Sequence, residues 1–171
     1  MDDGYAYVYK DGLGISVAPG ESVFLSFIQN FASNPSGLVY TTLWKNNNGD
    51  TVFVSLVRDD GKGQFTVVDD AGNWNTKIGN AVLTSKSHWI TLELRRATSS
   101  TASDGYGKLY IDGVEDVIRD GQDNYDKFTS LNYIRLGVPT GSSKTGFVID
   151  FDEVVVANRM VRPPLPKGIN L

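Results

Sequence analysis

Two neighbouring segments of alternating apolar and polar residues constrain the fold of this chain most. Residues 88–95 read His-Trp-Ile-Thr-Leu-Glu-Leu-Arg, and residues 107–114 read Gly-Lys-Leu-Tyr-Ile-Asp-Gly-Val. Alternation with a period of two is typical of a strand that buries one face. We therefore predict a pair of strands here. The side chains expected to face the core are Ile90, Leu92, Leu94, Leu109 and Ile111.

The same alternation recurs along most of the chain, with turns at intervals typical of a β-sandwich. Further strands are predicted at 5–10, 22–29, 37–45, 51–58, 64–68, 133–138 and 147–157. Asn-Gly and Asp-Gly sequences between them favour tight turns. Residues 115–132 are predicted to be irregular. We expect one domain over residues 1–161, followed by a Pro-rich extended tail or linker over 162–171.

Composition excludes several classes of function. The chain has 171 residues, a net charge of -4 and no cysteine. It therefore has no disulfides, no thiol nucleophile and no basic surface of the kind that nucleic acid requires. We predict no membrane insertion, because no apolar run is long enough to span a bilayer. The first residues do not resemble a signal peptide, so an extracellular or virion-surface location implies a domain cut from a longer protein or released by lysis.

Residues 147–156 read Phe-Val-Ile-Asp-Phe-Asp-Glu-Val-Val-Val. Together with the Trp89 strand and the Leu-Tyr-Ile-Asp-Gly strand, this segment resembles the concanavalin A-like (laminin G-like) jelly-roll superfamily. The resemblance implies an all-β, antiparallel jelly-roll β-sandwich. It does not imply one activity, since that scaffold hosts lectins, adhesion modules, glucanases, lyases and virion components.

Alternation also predicts aromatic side chains on the outside of the sandwich. Trp89, Tyr110 and Tyr133 fall on the polar side of their strands, as do Arg95 and Arg135. If these strands share a sheet, the five residues form a flat aromatic platform on which sugar rings could stack. The alternative is that a loop or the Pro-rich tail covers the rings.

A second candidate for sugar contact is Trp74, which stands between Asn73 and Asn75. The indole would stack on a sugar, and the two amides would bond its hydroxyls. Alternatively, Trp74 begins the next strand and folds back on the sandwich edge. The side on which Trp44 lies is undecided.

Catalytic motifs are weak. Glucanases of the resembled superfamily carry a first Glu where this chain has Val148, so we reject glycoside hydrolysis. The single histidine, His88, is predicted to be a solvated turn residue. A polysaccharide lyase needs a base and a group that neutralises charge, and Tyr110, Tyr133, Arg95 and Arg135 could be cast in those roles.

Acidic residues on the last strand indicate a structural calcium ion. Asp150, Asp152 and Glu153 offer oxygen ligands, and Asp2 and Asp3 could reach them if the first and last strands pair. The acidic turns at 59–60, 69–70 and 120–126 are interpreted as turn residues, without an EF-hand pattern.

The sequence thus ranks three functions. First is a non-catalytic carbohydrate-binding or adhesion module, hence not an enzyme, that recognises glycans by stacking and hydrogen bonds. The alternative is a structural, decoration or tail-fibre protein of a virion or extracellular assembly, whose outer sheet face and termini contact neighbouring subunits. A polysaccharide lyase is third.

Overall fold

A computed structural model describes residues 7–31, 35, 37–83, 86–137 and 149–161, and this part of the chain contains strands and no helix. In chain order the strands are β1 (Tyr7–Lys10), β2 (Ile15–Ser16), β3 (Ser22–Phe31), β4 (Val39–Lys45), β5 (Thr51–Val57), β6 (Lys62–Val68), β7 (Trp74–Val82), β8 (Ser87–Arg95), β9 (Gly105–Ile111), β10 (Val114–Gln122), β11 (Ser130–Leu131), β12 (Tyr133–Gly137) and β13 (Ile149–Ala157). No helix long and apolar enough to cross a membrane occurs in these ranges. Tail residues 162–171 lie outside the described residues.

The strands form two large antiparallel sheets whose inner faces pack together. One sheet has six strands in the order β1-β12-β4-β5-β6-β7, and the other has five in the order β10-β9-β8-β3-β13. β2 and β11 form a separate short pair. Because strands distant in sequence pair within each sheet, as β3 does with β13, the connections cross between sheets as in a jelly roll. The predicted all-β jelly-roll β-sandwich is confirmed.

The apolar core lies between the two sheets and draws side chains from both. Trp44, Phe53 and Phe65 are fully buried, and their ring centroids lie 5.0 Å and 5.5 Å apart along the six-stranded sheet. Trp44, whose side the sequence leaves undecided, therefore faces the core. Gly107 of the opposite sheet sits against these rings, where a Cβ would come within 3.0 Å of Phe65. A side chain at that position would push the sheets apart.

The predicted core faces agree with the structure, whereas two strands were missed or left open. The buried residues include Ile90, Leu92, Leu94, Leu109, Ile111, Ile134 and Leu136. The segment after Val114, predicted to be irregular, is the strand β10. Its register against β9 shifts twice, between Glu115 and Val117 and between Arg119 and Gln122. Each shift breaks the period of two, which hides the strand from pattern analysis.

Asp116 of β10 fastens the edges of the two sheets together. Its carboxylate accepts hydrogen bonds from the backbone N–H of Asn80 at 3.0 Å and of Ala81 at 2.9 Å, both on β7. Asn80 Nδ2 donates back to the Asp116 carbonyl at 3.2 Å. Gly79 leaves room for this contact, since a Cβ there would collide with the carboxylate. The edge strand β7 is therefore held by a charge-assisted clamp.

We expect Asp116→Ala to lower the free energy of unfolding by about 1–3 kcal/mol, because it removes several charge-assisted hydrogen bonds at once. Urea denaturation measures the change. Asp120→Ala, at an exposed position of the same strand, is the control and should stay within about 0.5 kcal/mol of the parent. Equal losses in the two variants would contradict the clamp.

Candidate functional site

The residues predicted to form one aromatic platform lie on opposite sides of the sandwich. Trp89 and Tyr110 belong to β8 and β9 of the five-stranded sheet, whereas Tyr133 belongs to β12 of the six-stranded sheet. The registers place all three on the side away from the core, as alternation predicts. Arg95 lies with the first pair and Arg135 with Tyr133. Because two sheets separate the groups, the prediction of a single platform is wrong.

The outer face of the five-stranded sheet is organised around Glu93, which is buried although it points away from the core. Its Oε1 accepts hydrogen bonds from Ser22 Oγ at 2.7 Å and from the Tyr106 hydroxyl at 2.8 Å. Its Oε2 accepts one from the Tyr110 hydroxyl at 2.8 Å. These donors compensate the cost of burying a carboxylate. The network is therefore closed on itself.

Tyr110 is a hydrogen-bond donor in this network and a poor base. Desolvation, followed by the hydrogen bond to Glu93 and the charge of that carboxylate, raises the pKa of Tyr110 far above its ordinary value. Arg95 is also committed: its Nε donates to the Gly20 carbonyl at 3.0 Å, and its guanidinium lies 5.6 Å from the Tyr106 ring. Neither residue is free to take the lyase role that the sequence suggested.

The outer face of the six-stranded sheet carries a different and more open group. We call it the phenol–cation cluster, and its members are Tyr7, Tyr9, Lys45, Tyr133 and Arg135. Tyr9 stands directly opposite Arg135, and Tyr133 stands opposite Lys45. The Tyr9 and Tyr133 rings stack with centroids 5.7 Å apart. Lys45 Nζ lies 5.8 Å from the Tyr133 ring, and the Arg135 guanidinium lies 5.7 Å from the Tyr7 ring.

The cluster combines accessible phenols with a guanidinium that has a donor to spare. Tyr7 and Tyr9 are 44% and 58% exposed, so a ligand can reach them. Arg135 Nε has no hydrogen-bond partner among the described residues. Desolvation raises the pKa of Tyr133 and outweighs the opposing charge of Arg135. Tyr133 is therefore a neutral phenol with a proton to donate.

Sequence reasoning found Tyr133 and Arg135 but missed Tyr7, Tyr9 and Lys45. The signal for the first two is the alternation of tyrosines in residues 5–9, which marks a strand with one aromatic face. That pattern could not reveal that β1 pairs with β12, which is more than a hundred residues away in sequence. Only this pairing brings the two halves of the cluster together.

Trp74 is the first residue of β7, and its side chain is 57% exposed. Asn73 and Asn75 do not present their amides to a ligand, because both Nδ2 groups donate to Asp69 Oδ2 at 3.0 Å. Asn75 Oδ1 accepts a bond from Arg119 at 3.3 Å. The two asparagines therefore brace the turn, and the indole alone is offered to solvent.

The acidic residues predicted to bind calcium lie at the edge strand β13. Asp150 and Asp152 point outward, and Glu153 sits at a bulge with a φ of 52°. The Glu153 N–H donates to Asp152 Oδ1 at 2.8 Å. Within the described ranges, no three acidic or histidine side chains are close enough to hold a metal ion. Asp2 and Asp3, like Val148, lie outside the described residues, so the calcium site stays a prediction.

His88 is not the solvated turn residue that its neighbours suggest. It is 4% exposed and stands opposite Gln29 on the inner face of the five-stranded sheet. Its Nδ1 lies 2.9 Å from Asp112 Oδ2, and Asp112 also accepts the Trp89 N–H at 3.0 Å. The turn interpretation was wrong because β8 begins one residue earlier, at Ser87, and so includes His88 in the strand alternation.

Two acidic turns meet beside Trp74. Asp70 accepts the N–H groups of Asp126 and Lys127 at 2.9 Å and 2.7 Å, so its carboxylate ties the two loops together. Desolvation and the charge of Asp70 raise the pKa of Asp123, which faces Asp70 across the contact. The fold therefore penalises the ionised form of Asp123.

Comparison with known proteins gives structural matches alone, since no family model and no curated protein matches the chain. An endo-β-1,4-glucuronan lyase from the fungus Trichoderma reesei is 16% identical, with a TM-score of 0.69 over 94% of this chain and 78% of that one. A SAP-like pentraxin from Limulus polyphemus is 9% identical, with a TM-score of 0.59 over 95% and 74% of the two chains. An alginate lyase from Alteromonas sp. 272 is 10% identical, with a TM-score of 0.54 over 88% and 77%.

These likenesses establish that the chain has the concanavalin A-like jelly-roll fold that the sequence resembles. They also correct the leading functional prediction. Polysaccharide lyases recur among the matching structures and include the glucuronan lyase, which matches with a TM-score of 0.69. The predictions of a non-catalytic binding module and of no enzymatic activity are overturned in favour of the function ranked third.

We expect Asp123→Asn to raise the midpoint of thermal unfolding at pH 7 by about 1–3 °C, since an exposed carboxyl pair contributes well under 1 kcal/mol. Because the fold raises the pKa of Asp123, its destabilising effect is absent below the unfolded pKa near 3.8 and grows as the pH rises through the folded value. The gain should therefore vanish near pH 3. Scanning calorimetry at the two pH values, with Asp59→Asn as control, tests this; a gain that persists at pH 3 would contradict it.

Proposed function

We propose that the chain is a polysaccharide lyase that cleaves uronate-containing polymers at the phenol–cation cluster. One observation carries the proposal: two cations and three tyrosines converge on one accessible sheet face, where Arg135 and Lys45 lie beside the stacked Tyr9 and Tyr133 rings. The fold shared with known lyases supports it. The chain is acidic overall, so an anionic substrate depends on this local positive charge.

Elimination at a uronate requires three groups. A base removes the proton at C5, a cation or hydrogen-bond donor neutralises the adjacent carboxylate, and an acid protonates the leaving oxygen. The electron pair of the C5–H bond becomes the C4–C5 double bond as the C4–O bond breaks. No water, metal or redox partner enters this balance.

Arg135 is the group that neutralises the substrate carboxylate. Its guanidinium carries a permanent charge, and its Nε has no partner among the described residues. A guanidinium binds a carboxylate through paired hydrogen bonds, which also fixes the orientation of the sugar. Lys45, which lies on the other side of Tyr133, adds a second positive charge for a neighbouring uronate.

Tyr133 and Tyr9 supply the acid and the base. Tyr133 keeps its proton because desolvation raises its pKa, and it can therefore protonate the leaving oxygen. Tyr9 stacks on Tyr133 and stands opposite Arg135, so a phenolate there would be stabilised by the nearby cation while it takes the C5 proton. The opposite face of the sandwich offers no such arrangement, since Tyr110 is tied to Glu93.

An acidic polysaccharide is accordingly the proposed partner, and an extracellular location, where such polymers accumulate, follows from it. A structural calcium ion held by Asp150, Asp152 and Glu153 remains a proposal independent of the lyase reaction. The assembly-protein alternative stays a prediction, because no contact in the described residues favours it.

We expect the protein to release unsaturated uronates, which absorb ultraviolet light, from polyglucuronate or alginate. Tyr133→Phe and Arg135→Ala should each lower kcat by about 10²–10⁴, the usual contribution of a positioned acid or charge stabiliser. Absorbance during incubation with each polymer measures the rate.

Matched controls lie on the opposite face of the sandwich. Tyr110→Phe and Arg95→Ala change the same residue types and should leave kcat within a factor of two or so, since they touch no substrate under this proposal. A parent protein that releases no unsaturated product from any uronate polymer would overturn the proposal. A loss in the control variants equal to that in Tyr133→Phe would overturn the choice of face.

A further inference from the structure

Trp74 lies on the same outer face as the phenol–cation cluster. It pairs with Val68 on β6, and the neighbouring pair of Thr76 with Thr66 is joined by an Oγ–Oγ hydrogen bond of 2.9 Å. Thr66 pairs in turn with Val54 on β5. Val54 pairs with Leu43 on β4, which pairs with Arg135. Directly paired residues point to the same side of a sheet, so a continuous row of side chains connects Trp74's neighbour to Arg135.

This row spans a distance suited to a polymer. Four strand spacings separate β12 from β7 in the sheet, which amounts to about 19 Å. That length exceeds a single sugar ring several times over. A polysaccharide that lies across the strands, with one uronate at Arg135, would reach the first residues of β7.

The indole at the far end is exposed and held in place. Trp74 is 57% exposed and takes part in no ring stacking within the described part of the chain. The turn before it is braced by Asp69, which accepts the Asn73 N–H at 2.7 Å, and β7 is clamped by Asp116. An aromatic ring that is accessible and fixed loses little entropy when it stacks on a ligand.

We propose that Trp74 is a distal stacking subsite for the same polysaccharide chain, so that the protein is selective for long substrates. This inference rests on the proposed function. Ile78, which is 43% exposed on the same face of β7, extends the apolar surface beside it. Trp74 is thus a specificity-determining residue and takes no part in the elimination itself.

The charge near Trp74 indicates what this subsite recognises. Although partial desolvation acts in the other direction, hydrogen bonds from Asn73 and Asn75 lower the pKa of Asp69. Asp69 is therefore ionised at neutral pH and disfavours a second carboxylate nearby. The distal sugar is consequently bound through its ring face, by a contact that salt does not screen, whereas Lys45 and Arg135 bind by charge.

The test compares Trp74→Ala with the parent on a uronate trisaccharide and on a hexasaccharide or longer chain. We expect KM for the long substrate to rise about five- to tenfold with kcat unchanged, and neither constant to change for the trisaccharide. The rise should be the same at low and high salt, whereas the KM effect of Lys45→Ala should shrink as salt is added. Trp74→Tyr should restore most of the loss, and Trp89→Ala on the opposite face should have no effect.

Isothermal titration calorimetry with the same two oligosaccharides separates the possible failures. Binding without turnover would overturn the proposed lyase function, and the length dependence of Kd in Trp74→Ala would still decide on the subsite. Equal effects of Trp74→Ala on short and long substrates, or none on either, would overturn the subsite alone. Absence of both binding and turnover would overturn both proposals.

Discussion

The structure depends on contact between the inner faces of two antiparallel sheets. Each strand must bury one side, and the fully buried Trp44, Phe53 and Phe65 rings fill the space against the opposite sheet. Gly107 allows that sheet to approach them closely. Packing of this kind fixes which residues face inward, and the period of two then fixes the outward ones. Functional chemistry on this scaffold can therefore occupy either outer face without disturbing the core.

The two outer faces use similar residue types for opposite purposes. On the five-stranded sheet, Glu93 accepts the hydroxyl protons of Tyr106 and Tyr110, so the phenols satisfy a buried charge. On the six-stranded sheet, no carboxylate in the described ranges binds Tyr9 or Tyr133, and these rings stack beside cations instead. A tyrosine bound to a carboxylate is a structural donor, whereas one beside a guanidinium can exchange a proton with a substrate.

Sequence alone predicted the architecture and the orientation of side chains, because both follow from local alternation. Trp89, Tyr110 and Tyr133 do point away from the core. Their division between two sheets could not be predicted, since it depends on pairings such as β1 with β12 that join distant parts of the chain. Bulges hid β10, and a one-residue difference in the start of β8 placed His88 wrongly. Local patterns therefore identify residues, and long-range pairing assembles the site.

The central claim is that the substrate occupies the outer face of the six-stranded sheet. The three tryptophans report on three places: Trp74 on that face, Trp89 on the opposite face and Trp44 in the core. Titration of the ¹⁵N-labelled protein with a uronate hexasaccharide, followed through the three indole N–H signals by NMR, tests the claim directly. The account predicts that the Trp74 signal shifts with saturation while the other two stay in place. A shift confined to Trp89 would contradict it.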